Sequence, residues 1–505
     1  MKHHTFVSLL FFFNLSLVTG CHENEREALL DFKSFVADLS NRLSSWQGLN
    51  CCSWHGIYCS KSWHIVSVNL ENPAPDRVVI NGNKKLVSMS KEQVAMSTSI
   101  SSALKGTISS SLFTLSHLRF LDLSFNNFMS SKIPTGLSNL TSLTHLNLSN
   151  AMFEDSIVAQ LANLTSLRVL DLSCSYEVPD VSSISYNLTL KKVNGGSLHS
   201  FIHRGSLHSS NLKWLEGLHN LRELRLAGVD FYEASQSNKW AEPISLLSNL
   251  RSLHLFNCRV LSAIPINQLL NLIHLYSLRM DSNSFTSPIP NQLANLTSIL
   301  IFGTVPNSLG NYTSLISLNL GGNNFSENIP SEIEGAKNLS YLDLSGNHFE
   351  GLFPSFIQKL EMIEVLKLAH NIFEGKIPQF IGDLKNLCII LLAWNFFNGS
   401  IPEEITKLEK LQYMDFSNNE FSGPIPEKID GMRMLTSQSR DAIPLGYFIL
   451  LLLVGVNIEI VTKGSSYQLE RVYTYISGID LSCNTLTGNI PQEIGLLHGL
   501  YMLNL

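Results

Sequence analysis

The side chains best able to do chemistry in this 505-residue chain are spaced for recognition, not catalysis. Arg225, His254 and Arg279 fall at the same place in three successive copies of one short apolar motif. Lys367 and His370 face Leu391 and Trp394 of the next copy, with Tyr341 and Tyr413 flanking them. If each copy holds a strand, neighbours lie about 4.8 Å apart and these residues make two patches on one sheet face. Alone, each is an ordinary solvated side chain. Together, an exposed tryptophan beside cationic and phenolic groups has the large contact area and polar handles of a binding hot spot. The 16 histidines and 41 acidic residues show no HExxH, G-x-S-x-G or GxxxxGK[ST] arrangement, so no enzyme activity, metal centre or cofactor is expected.

The motif explains the spacing. Segments starting at Leu315, Leu339, Ile363, Leu387 and Leu411 recur every 24 residues, each reading L-x-x-L-x-L-x-x-N and then F-x-G-x-I-P, as in LSYLDLSGNHFEGLFP. Less regular copies start at Leu118, Leu143, Leu167, Leu221, Leu250 and Leu275. This is the leucine-rich-repeat signature. One repeat cannot bury its own apolar residues, so copies must stack. The expected fold is therefore α/β: a curved, right-handed solenoid with short parallel strands on its concave face. Motif positions 4 and 6 should point inward, and positions 3, 5, 7 and 8 toward the concave side or its edge. Position 5 is mostly Asp or Asn, so the Arg225, His254, Arg279 row departs from the rule. The position-9 Asn should bond buried backbone. Cys258 is a known replacement there, while Ala151, Ser175 and Val229 are weaker departures.

Charged residues are only 15% and net charge is -6, which argues against nucleic acid as a partner. A basic head, an apolar stretch and small residues before Cys21 read as a secretory signal peptide over 1–20. A cysteine-rich cap follows over 21–64, in which ENEREALLDFKSFVADL predicts an amphipathic helix with Ala28, Phe32, Phe35 and Leu39 on one side. Cys21, Cys51, Cys52 and Cys59 allow three pairings, of which the adjacent Cys51 and Cys52 would form a strained ring. Zinc is the alternative, without the paired CxxC elements it prefers. Cys174, Cys388 and Cys483 read as unpaired structural thiols at exposed or edge positions, without a resolving partner. Sequons at Asn139, Asn147, Asn163, Asn187, Asn295, Asn311, Asn324, Asn338 and Asn398 are candidate glycosylation sites, and those reading N-L-T-S just before a strand should fall on the flank or outer side.

Repeats are expected over 65–426, irregular at 71–102 and 175–210 and shortened at 296–306, where a central strand is lost. A non-repeat island spans 427–475, and repeats resume over 476–505 with an incomplete end. Within the island, Ala442 to Ile458 is uncharged, at the lower edge of a spanning length. Pro444, Gly446 and Gly455 interrupt it, favouring a buried segment over a membrane helix.

The cap CHENEREALLDFKSF, then LSSW and CCSWHGIYC, then repeats bearing N-x-F-x-G-x-I-P, resembles the extracellular region of plant leucine-rich-repeat receptors. LKWLEGLHNLRELRLAGVDFYEAS, and IEIVTKGSSY running into IDLSCNTLTGNIP, are similar to the kinase-lacking receptor-like proteins, particularly those related to fungal-xylanase receptors. That resemblance implies pairing of Cys21 with Cys51 and Cys52 with Cys59. It also implies an immune receptor at the plasma membrane, facing outward, that binds a microbial or apoplastic peptide, protein or glycan and signals through leucine-rich-repeat receptor kinases and adaptors. More repeats and an anchor would follow Leu505. Two other readings remain: a secreted inhibitor resembling the polygalacturonase-inhibiting proteins, and a nonfunctional truncated copy.

Overall fold

The computed structural model describes residues 20–72, 102–128, 131–157, 159–178, 200–203, 206–237, 239–286, 289–290, 315–436, 458–462, 465–469 and 477–505. The signal-peptide stretch, the shortened repeat, the apolar run over 442–457 and the sequons at Asn187, Asn295 and Asn311 lie outside these residues. Among the described residues, no helix is long and apolar enough to cross a membrane.

Each described repeat gives a three-residue strand to one fifteen-stranded sheet. The sheet opens with Ile57–Cys59 antiparallel to Ile65–Asn69, and every later neighbour is parallel, through to Met502–Asn504. Register repeats without slip: Leu342, Leu366, Ile390 and Met414 stand opposite one another at motif position 4. The cause is the two-residue period of a strand, since a one-residue slip would turn every buried leucine out to solvent. Leu342, Leu344, Leu366 and Leu368 are all fully buried.

Two further rows join the repeats. The position-9 asparagines hold the turn that leaves each strand. Asn371 Nδ2 donates to the carbonyls of Leu344, Leu368 and Ala369 at 3.0, 3.1 and 3.2 Å, and its Oδ1 accepts the Phe349 N–H at 3.1 Å. Asn347, Asn395 and Asn419 repeat this pattern. Where Cys258 takes the place, its Sγ–H donates to the carbonyls of Leu226 and Phe256 at 3.1 and 3.3 Å. Ala151 and Val229 are simply buried. Two residues after each asparagine, Phe285, Phe325, Phe349, Phe373, Phe397 and Phe421 form a stacked spine with centroids 5.9 to 6.3 Å apart. These phenylalanines lie beside a second, six-stranded sheet running from Ser326–Glu327 to Thr485–Leu486.

The Ile-Pro or Phe-Pro pairs then start five-residue 3-10 turns such as Ser355–Lys359, Gln379–Asp383 and Glu403–Lys407. Pro354, Pro378 and Pro402 sit at the N-cap, where a fixed φ helps and a missing N–H costs little. The side of the coil away from the large sheet is thus 3-10 turns with few α-helices. The irregular stretch 175–210 holds three described strands the sequence did not signal: Ser175–Val178 and Ser200–His203, paired antiparallel, and Ser206–His208, parallel to Glu154–Ser156.

In the cap, an α-helix over Glu23–Ser34 buries Glu25, Ala28, Leu29 and Phe32. It ends before the residues that the periodicity placed on its apolar side: Phe35 is 51% and Leu39 is 59% exposed. The chain turns instead into a short strand, Val36–Ala37, against Lys105–Gly106. Cys21 is bonded to Cys51 and Cys52 to Cys59, so no sulfur there is left for zinc. Cys174, Cys258, Cys388 and Cys483 take part in no disulfide. Cys174 and Cys388 are buried, not at an exposed edge as expected, and burial pushes the Cys174 thiol up to about 12.

Candidate recognition surface

The common register places Arg225, His254 and Arg279 directly side by side. They are not a free cationic patch. Arg225 donates to Glu223 at 2.7 Å and lies 4.0 Å from Asp171. Arg279 donates twice to Asp281, at 3.1 and 3.0 Å, while its guanidinium covers the Phe256 ring at 4.3 Å. His254 Nε2 sits between the hydroxyls of Ser252 and Ser277. Burial, then the charges of Arg279 and Arg225, hold the His254 pKa well below its usual value, so the ring is neutral. The Arg225 side chain is more accessible than that of Arg279.

The second patch divides in two. Tyr341, Leu391 and Tyr413 were expected on an open face, but they are buried with Val365, Ala369, Cys388, Ile389 and Ala393 in an apolar cluster of their own. Lys367 is buried as well, ion-paired with Asp343 at 2.5 Å, and Asp343 also accepts the Tyr341 hydroxyl at 3.1 Å. The reason is size. Bulky residues at positions 3 and 5 of four adjacent strands close over one another, and the Tyr413 ring lies over Gly478, where an added Cβ would stand 2.5 Å from it. These four residues form packing beneath a surface, not the surface itself.

What remains accessible is His370 and Trp394, stacked at 5.7 Å with their planes 12° apart. Both sit at position 8 with left-handed backbone, φ 55° and 57°. The neighbouring copies use Gly322, Gly346 and Asn418 there, residues that suit such a conformation. Phe125, Ser282 and Cys483 share this conformation in other copies, so it belongs to the repeat, and what sets Trp394 apart is a large ring left half-exposed. Sequence reasoning missed the neighbours that enlarge this surface: Leu352, Ile372 and Phe396 are 68%, 41% and 52% exposed. Their signal was present in the doublets Ile372-Phe373 and Phe396-Phe397. The second member enters the spine, so the first must point out. Glu350 and Glu374 lie two residues from Leu352 and Ile372 on the same strands, and Glu420 opens the strand after that of Phe396 in the six-stranded sheet.

One group near this surface titrates unusually. Burial, opposed by Lys410, raises the Glu364 carboxyl to about 7. Its Oε2 has no hydrogen-bond partner. An acid whose folded pKa is raised loses stability as pH climbs from its ordinary range to the folded value. Glu364→Gln should therefore raise the melting temperature at pH 7 and flatten the fall between about pH 4.5 and 7. Melting curves across that range that match the natural chain would refute this.

The nearest approach to a metal site among the described residues is Glu25, His64 and His117, whose ligand atoms lie within 4.8 Å of one another. The His64 and His117 rings are stacked only 16° from parallel at 3.7 Å. Both Nδ1 atoms face the same Glu25 oxygen, at 3.0 Å from His64 and 3.8 Å from His117. Glu25 accepts the Ile65 N–H at 2.8 Å and pairs with His64 at 3.0 Å. The group joins the cap helix to the first strands.

Among the sequons, Asn139, Asn163, Asn324 and Asn338 are exposed and Asn398 is half-buried. Asn147 is on the large sheet, at motif position 5. Its Nδ2 donates to Asp122 at 2.8 Å and its Oδ1 accepts the Ser149 N–H.

The stacked strands, asparagine row and disulfide-bonded cap define a leucine-rich-repeat solenoid. The leucine rich repeat N-terminal domain family matches residues 22–60, the leucine-rich repeat region family 100–292, and the leucine rich repeat family 314–336, 338–360 and 410–432. The chain thus carries a leucine rich repeat N-terminal domain and leucine-rich repeats, and its curated relatives include plant receptor-like proteins. It is 29% identical over 294 residues to receptor-like protein EIX1 of Solanum lycopersicum, covering 56% of this chain and 24% of that one. It is 30% identical over 330 residues to receptor-like protein 6 of Arabidopsis thaliana, covering 60% and 28%. The chain thus matches about a quarter of the length of these relatives. Its fold is that of the Arabidopsis receptor kinase HAESA ectodomain, solved with an IDA peptide hormone (TM-score 0.59, 22% identity, 95% of this chain and 76% of that one). It is likewise that of the plant peptide hormone receptor RGFR1 with RGF2 (TM-score 0.55, 23% identity, 90% and 60%).

Proposed function

We propose that this chain is the recognition region of a plant cell-surface receptor-like protein. It binds a peptide or protein ligand outside the cell, and signalling passes through partner receptor kinases with leucine-rich repeats. It acts by binding and carries out no reaction. The secretory leader read over 1–20, the cap disulfides and the receptor-like relatives support this setting. The observation that carries it is Trp394, half-exposed in a left-handed backbone position, stacked on His370 and flanked by exposed Phe396 and Ile372. Such a residue supplies rigid contact area to a partner.

Trp394→Gly tests the reading because glycine suits the backbone there. The variant should melt no lower than the natural chain, since relief of left-handed strain, worth about 1 kcal/mol, offsets the lost ring stacking. The immobilised variant should fail to retain a protein that the natural chain captures from fungal culture filtrate. Equal capture by both would remove this surface from ligand binding.

A further inference from the structure

Motif position 2 forms a row that none of the recognition residues occupies. Backbone N–H groups link its members in order: Thr144 to the Arg119 carbonyl at 2.8 Å, Arg168 to Thr144 at 2.8 Å, Arg222 to Arg168 at 2.7 Å and Arg251 to Arg222 at 2.7 Å. The row therefore carries four guanidinium groups in five adjacent strands. With strands about 4.8 Å apart, Arg119 and Arg222 lie roughly 14 Å from each other along it. The next members are Tyr276, Ile316, Ser340 and Glu364, so the cationic character is confined to the N-terminal half.

Three features mark this row as more than solvated arginines. Arg119, Arg168 and Arg222 are exposed, and among the described residues no carboxylate pairs with them. The nearby acids Asp171 and Glu223 are turned to Arg225 instead. Arg119 and Arg168 also bound an open cleft of about 540 Å³, whose other lining residues are Ser142, Thr144, Ser166 and Asn220. The Ser142 and Ser166 hydroxyls make no hydrogen bond to described residues. In a chain of net charge -6, this is a local reversal of sign.

We propose that the row and its cleft bind an acidic oligosaccharide, a chain of uronic acid sugars. A guanidinium holds a carboxylate through two parallel N–H bonds, and arginines at strand spacing match charges repeated along a polymer. Serine hydroxyls and the Asn220 amide suit sugar hydroxyls. An acidic peptide or protein would want an apolar anchor, and no aromatic or aliphatic side chain lines the cleft. The site is separate from the Trp394 surface and does not depend on the receptor reading.

The test is calorimetric titration of the full chain with a de-esterified galacturonic acid oligomer long enough to span the row. Its methyl ester and polyglutamate serve as comparisons. The proposal expects binding of the acid form, none of the ester, weaker binding of polyglutamate, and loss of affinity as salt is raised. Arg168→Gln with Arg222→Gln should weaken binding by tenfold or more, at about 1.4 kcal/mol per tenfold. Because both side chains are exposed, the melting temperature should not change. Trp394→Gly should leave this binding intact. No heat with the acid oligomer, equal affinity for polyglutamate, or unchanged affinity in the double arginine variant would each overturn the assignment.

Discussion

Replacing Asn371 by alanine should cost roughly 3–6 kcal/mol, the largest loss expected of a single polar substitution in this chain. The side chain is buried and makes four hydrogen bonds. Its removal orphans the Phe349 N–H and takes one of two donors from each of the Leu344, Leu368 and Ala369 carbonyls, which keep Asn347 Nδ2, Asn395 Nδ2 and the Gly346 N–H. The orphaned N–H costs about 1–3 kcal/mol and each of the three other lost bonds about 0.5–1.5 kcal/mol, with partial relaxation keeping the sum below the maximum. In a solenoid the damage should centre on the affected copies, because each repeat contacts only its neighbours. Hydrogen exchange should show lost protection around Leu344, Phe349 and Leu368, with the cap unchanged. Asn371→Cys should recover part of the loss, since Cys258 already bonds two carbonyls at the equivalent place. An alanine variant as stable as the natural chain would show that the asparagine row is ornamental.

Lys367→Met is expected to be nearly as damaging, at about 3–5 kcal/mol, because it leaves Asp343 as a buried charge without its cation. In the natural chain burial pushes the Asp343 carboxyl up. The Lys367 charge and hydrogen bond, with those of Ser345, outweigh burial and hold it below the usual carboxylate range. A depressed carboxylate contributes stability that is present above its unfolded pKa, about 3.9, and lost as pH falls through its folded value. Without Lys367 the sign reverses: burial dominates, the carboxyl rises, and the variant weakens as pH climbs. The gap between the two melting temperatures should thus be wide at pH 7 and narrow near pH 4. Adding Asp343→Asn should recover much of the loss, since the orphaned charge goes with it. A Lys367→Met chain as stable as the natural one at pH 7 would mean the pair is too hydrated to matter.

Both predictions rest on features that were unevenly legible in the sequence. The 24-residue step, the inward leucines and the carbonyl-binding asparagines could be read because strand periodicity and backbone hydrogen bonding leave little choice. Cys258 fitted for the same reason. The helix end was not readable: Phe35 and Leu39 continue the apolar periodicity, yet the chain turns into a strand after Ser34. Strand alternation correctly put Lys367, Leu391, Tyr341 and Tyr413 on the sheet's outer face. It could not show that bulky neighbours in adjacent copies would close over that face, since burial there depends on side chains 24 residues apart. His370 and Trp394 were found by type and position. Phe396 and Ile372 escaped because position 10 is polar in other copies, as at Asn324, His348 and Glu420. The arginine row was hidden differently. Arg168 and Arg222 are 54 residues apart in the chain, and only the register makes them neighbours.

All of these contacts presuppose one extended stack in which each repeat touches the next. Small-angle X-ray scattering of the purified chain tests that most directly. A compact globule of 505 residues would have a radius of gyration near roughly 23 Å. The solenoid predicts a clearly larger value and an elongated distance distribution. A radius at the globular figure with a symmetric distribution would contradict it, and with it every surface assigned to this chain.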